Sequence, residues 1–136
     1  MKISRFEDLQ CWQEARMLTR MIYQEVERNS RFRRDVRLVS QLQAAAGSIM
    51  ANIAEGLMRR SDKEFAQFLY TAMASAAEVQ SHLYIALDAG HISEEKFKAL
   101  QSQAGKSSKL ISGFIKYLRT PKAKKSERAE QTKQTE

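Results

Sequence analysis

Helix breakers, thiols and imidazoles are scarce in this chain. Of 136 residues, one is proline, Pro121, and five are glycine. Few breakers and few β-branched runs leave long uninterrupted stretches, which argues for long helices. The one cysteine, Cys11, excludes an internal disulfide and suits a reducing cytoplasm. Two histidines, His82 and His91, cannot supply the paired Glu-x-x-His motifs of a di-iron bundle. Glu78 precedes His82 by four residues, and no second pair exists. No metal and no cofactor are expected. A Gly-rich phosphate loop, a cysteine cluster and a Ser-His-Asp set are all missing. Glu55 is of a type that can act as a general base, but no nucleophile or acid partner stands near it in sequence. The chain therefore reads as non-enzymatic. No apolar run approaches the roughly 20 residues of a membrane span. The stretch from Met1 to Glu7 lacks the apolar core of a signal peptide. A cytoplasmic protein without membrane contact is expected.

What is present is amphipathic. Hydrophobic residues make up 43% and charged residues 29%, which fits one globular domain with a single core. Leu9, Trp12, Ala15, Leu18, Ile22 and Val26 recur at threes and fours, tracing one face of a first helix. Ser4 with Glu7 could cap it, or it begins a turn later. At its spacing Trp12 belongs to core or interface. A second helix is predicted from about Val36 to Glu55, N-capped by Asp35, with Leu38, Leu42, Ala45, Ile49 and Ile53 inward. Its middle, around Ala44 to Ser48, is small-sided and favours close approach of a neighbour. That approach would offset the helix cost of Gly47. A third helix spans about Asp62 to Ala89 and is closed by Gly90. Its main stripe runs from Phe65 to Ala86. A second band, Tyr70, Met73, Ala74, Ala77, Ser81 and Tyr84, reads as a protomer interface. A fourth helix starts after Ser93, and Phe97, Leu100, Ala104, Ser107, Ile111, Phe114 and Leu118 form a heptad seam along it. The expectation is all-α: an antiparallel up-down four-helix bundle over residues 1–120 and a disordered basic tail over 121–136.

Ser48 to Phe65 holds the most distinctive residues. Gly56 is the residue type that ends helices in a left-handed conformation. Ser61 to Glu64 reads as a capping box. Asn52 and Glu55 stand out as polar residues in an apolar helix. The structural reading has Glu55 pairing Arg59 or Arg60 and Asn52 binding loop backbone; the other reading places them in a ligand site. Asn52, Glu55, Gly56 and Ser61 are taken as a structural signature.

The formal charge is +7. Residues 28–37 carry five arginines, Arg28, Arg31, Arg33, Arg34 and Arg37, against one acid. From Arg119 onward there are six basic and three acidic residues, so the rest of the chain is close to neutral. These arginines, with Arg59, Arg60 and Lys63, are the candidates for contact with RNA or DNA phosphates. Phe32 is the one aromatic among the arginines, so backbone contact without base reading is expected. The alternative is a solvated loop.

Phe6-Glu7-Asp8-Leu9 with Trp12-Gln13 and Ala15 resembles the start of the small "four helix bundle protein" family. Members of that family include proteins encoded in intervening sequences of bacterial 23S ribosomal RNA genes. The resemblance continues through Arg34-Asp35, Gln41-Leu42, Ala45-Ala46, Ser48-Ile49, Asn52-Ile53-Ala54-Glu55-Gly56, Arg59, Ser61 and Glu64-Phe65, and on to Gly90-His91-Ile92. It covers about residues 6–118, and the Asn-Ile-Ala-Glu-Gly run is its most specific part. The resemblance implies a homopentamer with bundles side by side in a ring. A related fold is the accessory protein of diversity-generating retroelements, which binds a reverse transcriptase and nucleic acid. The alternative to nucleic-acid binding is therefore an adaptor that binds another protein, such as a reverse transcriptase, with the basic charge incidental.

Overall fold

In a computed structural model, residues 3–121 are described. A 3-10 turn, Phe6–Asp8, leads into α1 (Gln10–Arg28). A one-turn helix, α2 (Ser30–Arg34), precedes α3 (Val36–Leu57), α4 (Asp62–Asp88) and α5 (Glu94–Leu118). No strand occurs among the described residues. The four long helices are those predicted. Between the first two long helices, where no helix is predicted, Ser30–Arg34 form one turn of helix with Asn29 as its N-cap. The expected tail lies, beyond Pro121, outside the described residues.

The starts of the helices follow from their caps. Asp35 Oδ1 accepts from Leu38 N at 3.3 Å, Ser61 Oγ from Glu64 N at 3.1 Å, and Ser93 Oγ from Lys96 N at 3.1 Å. The box at Ser61 is half made, because no hydrogen bond from the Glu64 carboxylate back to the Ser61 amide occurs among the described residues. α1 starts a turn later than Ser4, without a side-chain cap. Gln13 Nε2 instead donates to the Glu7 carbonyl at 2.8 Å and fastens the 3-10 turn to the helix.

Helix packing is square. α1 lies against α3 and α5, and α4 lies against the same two. Neighbours run antiparallel. Along α4 and α5, Tyr84 meets Phe97, Gln101 Nε2 donates to the Gln80 carbonyl, and Arg119 donates to the Tyr70 hydroxyl. α1 is sewn to α5 by Gln103 Nε2, 2.7 Å from Glu14 Oε2, and by Lys96 near Glu25 at 3.5 Å. The core is aliphatic: Leu18, Ile22, Leu42, Ile49, Ile53, Leu69, Val79, Leu83 and Ile111 are almost wholly buried. Burial of such residues is the main favourable term for a bundle of this size.

Two glycines have different tasks from those expected. Gly56 does not end a helix in a left-handed turn; among the described residues only Gly90 has positive φ, at 76°. Gly56 is buried within α3, where a Cβ would stand 2.7 Å from Phe65 Cδ1 and 2.9 Å from Phe68 Cβ. It is there so that α4 can lie close. Gly90 ends α4 in a Schellman turn: His91 N donates to the Ala86 carbonyl and Gly90 N to that of Leu87. Gly47, expected to allow close approach, has no heavy atom within 4 Å of its missing Cβ. The close α3–α4 approach is at Gly56 instead.

Candidate nucleic-acid interface

The arginine-rich corner is built on a network of four residues. Asn29 Oδ1 accepts from the Arg31 and Phe32 amides at 3.0 and 3.2 Å, which starts α2. Its Nδ2 donates to the His91 carbonyl at 2.8 Å. The His91 ring is buried, its Nε2 lies 2.9 Å from Asp35 Oδ2, and it stacks on Phe32 with centroids 5.1 Å apart. The hydrogen bond from His91, then that from the Leu38 amide, holds the Asp35 carboxyl below its ordinary value. The α2 corner and the α4–α5 turn thus share one end of the bundle and are locked together. Phe32 is core, not a platform for a base: it is 1% exposed.

The five arginines are not equivalent. Arg28 pairs with Glu25 at 3.3 Å, and Arg33 with Glu27 at 3.6 Å while donating to the Glu27 carbonyl. The acids come from the last turn of α1, outside the window in which the charge was summed. Arg31, Arg34 and Arg37 are exposed and have no carboxylate partner among the described residues. Arg31 runs beside the turn at Gly90.

At the opposite end, Arg60 and Lys63 are exposed and likewise without a carboxylate partner. Arg59 lies over the Phe68 ring, 4.5 Å from its centroid. Lys63 lines an open groove of about 590 Å³ with Asp62, Ala66, Gln67, Tyr70, Leu118 and Arg119. The expected Glu55 pairing with Arg59 or Arg60 is not made. Glu55 is exposed on the last turns of α3, without an ion pair among the described residues. Asn52 does not reach loop backbone. Its Nδ2 donates to the Ser48 carbonyl at 2.8 Å and meets Ser48 Oγ at 3.1 Å, and Ser48 Oγ is 2.8 Å from Ser75 Oγ on α4. Asn52 therefore orients a polar bridge between helices. α3 separates the two basic ends by about 33 Å at 1.5 Å per residue, so the two clusters are distinct.

A family model described as 23S rRNA-intervening sequence protein matches residues 7–113. The chain belongs to that family. A solved structure of a protein of unknown function from the S23 ribosomal protein family of Bacteroides thetaiotaomicron VPI-5482 has the same fold. It is 20% identical, with a TM-score of 0.70 over 78% of this chain and 98% of that one. No curated protein matches the chain. For this member of the 23S rRNA-intervening sequence protein family, two features escaped the sequence reading. One is the Asn29–Asp35–His91 node, which joins residues 56 or more positions apart and has no local signature. The other is on α5. Lys98, Lys109 and Lys116 are exposed and have no acidic partner among the described residues. The signal for them was present, since no acid follows Glu95 until Glu127. Among the described residues no group of three or more His, Cys, Asp or Glu is placed to hold a metal ion. No helix there is long and apolar enough to cross a membrane.

Proposed function

We propose that this protein is a non-enzymatic, oligomeric member of its family that holds nucleic acid by the phosphate backbone. The observation that supports this is the set of exposed cations without a carboxylate partner among the described residues, Arg31, Arg34 and Arg37 at one end and Arg60 and Lys63 at the other. Such groups attract phosphates by charge and release counterions on binding. With Phe32 in the core, stacking on a base at the corner is excluded, so contact is with backbone and varies little with sequence. A homo-oligomer repeats each basic end and multiplies a weak attraction. The α4 band supports such an assembly: Tyr70 is 48% and Tyr84 57% exposed, and Ala74, Ala77 and Ser81 between them are also exposed. Five copies in a ring is the number the family resemblance implies.

The test is titration of labelled RNA and DNA at low and high salt. It uses the intact protein, a deletion after Thr120, and a variant with Arg31, Arg33, Arg34 and Arg37 changed to Gln. Affinity is expected to fall steeply with salt and to weaken in the arginine variant. Absence of binding at low salt would leave the second reading, an adaptor for another protein such as a reverse transcriptase. The exposed Tyr70, Tyr84 and Ile85 side chains favour that reading, since they suit a protein surface as well as a second copy.

A further inference from the structure

From Lys96 onward, the exposed charges of α5 are all of one sign. From Lys96 to Arg119 the chain has basic residues at 96, 98, 106, 109, 116 and 119 and no acid. α1 engages two of them: Lys96 lies 3.5 Å from Glu25 and Lys106 3.1 Å from Glu14. Arg119 donates to the Tyr70 hydroxyl. Lys98, Lys109 and Lys116 remain exposed, with no carboxylate within ion-pair distance among the described residues. They follow heptad-related steps and so share one face. From Lys98 to Lys116 that face rises about 27 Å.

Between the lysines the side chains are short: Ser102, Gly105, Ser112 and Gly113. A glycine inside a helix costs about 1 kcal/mol against alanine. No neighbour among the described residues requires either glycine. A Cβ on Gly113 would have no heavy atom within 4 Å, and one on Gly105 would meet only Gln80 Nε2 at 3.9 Å. Small residues and unpaired lysines on one straight face suit a partner that lies close to the helix backbone. Aromatics are absent from this face. Phe97, Phe114 and Tyr117, the aromatics of α5, are partly buried: Phe97 packs on Tyr84, and Phe114 on Phe65 and Tyr117. A single strand is ordinarily held by stacking on such rings, whereas a duplex presents stacked bases inside and phosphates outside.

We infer that the α5 face of Lys98, Lys109 and Lys116 is the seat of a double-helical nucleic acid, held through its phosphates. This rests on the nucleic-acid reading above and gives it a site and a strand state. A duplex presents one charge per about 1.7 Å of axis, hence about sixteen phosphates along the length of the stripe.

The experiment compares duplex DNA, duplex RNA and the matching single strands at about 50 and about 200 mM salt. The proteins are the full chain, a Lys98→Gln/Lys109→Gln/Lys116→Gln variant, an Arg31→Gln/Arg34→Gln/Arg37→Gln variant, and Gly113→Gln. The lysine variant is expected to bind duplex about tenfold or more weakly at low salt, and its slope of log affinity on log salt for duplex DNA to be shallower by about 2.7. The arginine variant binds duplex more weakly than the intact protein, but loses less than the lysine variant does. Gly113→Gln, which adds bulk but no charge, raises the melting temperature and weakens duplex binding. Full duplex affinity in the lysine variant, with loss in the arginine variant, overturns the α5 site and leaves nucleic-acid binding standing. A preference of the intact protein for single strands overturns the duplex assignment. No binding by the intact protein at low salt overturns both readings. The lysines are exposed, so circular dichroism and melting of their variant should match the intact protein.

Discussion

Gly56→Ala isolates the close approach of α3 and α4. Helix propensity alone favours the change, by about 1 kcal/mol in a helix interior. The new methyl would stand 2.9 Å from Phe68 Cβ and 2.7 Å from Phe65 Cδ1. Neither neighbour yields cheaply. Phe68 Cβ is fixed to the α4 backbone, and the Phe65 ring is buried against Phe114, with centroids 5.3 Å apart. Overpacking of this kind costs about 1–3 kcal/mol, and a contact against a backbone-fixed carbon lies at the upper end. Subtracting the propensity gain leaves a net loss of about 2 kcal/mol, or roughly 5–10 °C in melting temperature. Gly47→Ala is the control, because no heavy atom lies within 4 Å of its Cβ position. There the propensity gain acts alone, and stability should rise by up to about 1 kcal/mol. Thermal melts followed by circular dichroism, at one protein concentration, measure both. If Gly56→Ala melts at or above the parent temperature, the reasoning from close approach is wrong.

Acid should loosen the arginine corner. The folded-state values of Asp35 and Glu14 lie below the ordinary 3.8 and 4.5, held there chiefly by hydrogen bonds from His91 and Gln103. Their stabilisation is present above those ordinary values and is lost as pH falls through the depressed ones, so Asp35→Asn should flatten the acid limb of stability against pH, measured by urea melts. If the exposed band of α4 is the protomer interface proposed above, Ala77→Arg should give monomers with the protomer still folded; light scattering that shows the intact protein monomeric would refute the assembly, and an oligomer in the variant would move the interface elsewhere. Glu55→Ala removes an exposed side chain without an ion pair among the described residues. Its stability should change by less than about 0.5 kcal/mol. A large loss in differential scanning calorimetry would mean that Glu55 has a structural partner.

Helix positions were legible because each stripe repeats at threes and fours and three of the long helices begin on a hydrogen-bonding cap. Asp35, Ser61 and Ser93 all accept the amide that their sequence context assigned to them. The one-turn helix was not legible, because five residues show no period. Its cap, Asn29, is recognisable only once Arg31 and Phe32 are seen to donate to it. Gly56 was misassigned for a physical reason: glycine serves both left-handed turns and close contacts, and sequence cannot separate the two uses. The aromatics that demand the close contact, Phe65 and Phe68, lie across the turn on α4. The basic candidates were only partly legible. Charge summed along a window misses acids that folding brings beside it, as Glu25 and Glu27 do for Arg28 and Arg33. It also passes over a helix whose lysines are spread by the heptad, as on α5.

The seam between α1 and α5 bears on the order in which the chain gathers. α3 with α4, and α4 with α5, are hairpins between consecutive helices, whose closure involves short loops and is fast. The Glu14–Gln103 bond joins residues 89 positions apart. Its closure entropy is met only after the intervening hairpins have shortened the effective loop. The α1–α5 seam is thus expected to be the last side of the square to close, since α1 reaches α3 across the short α2 corner. Mutations along that seam are therefore expected to act mainly on the rate of unfolding, and mutations at the α3–α4 contact mainly on the rate of folding, as the two limbs of a denaturant chevron would show.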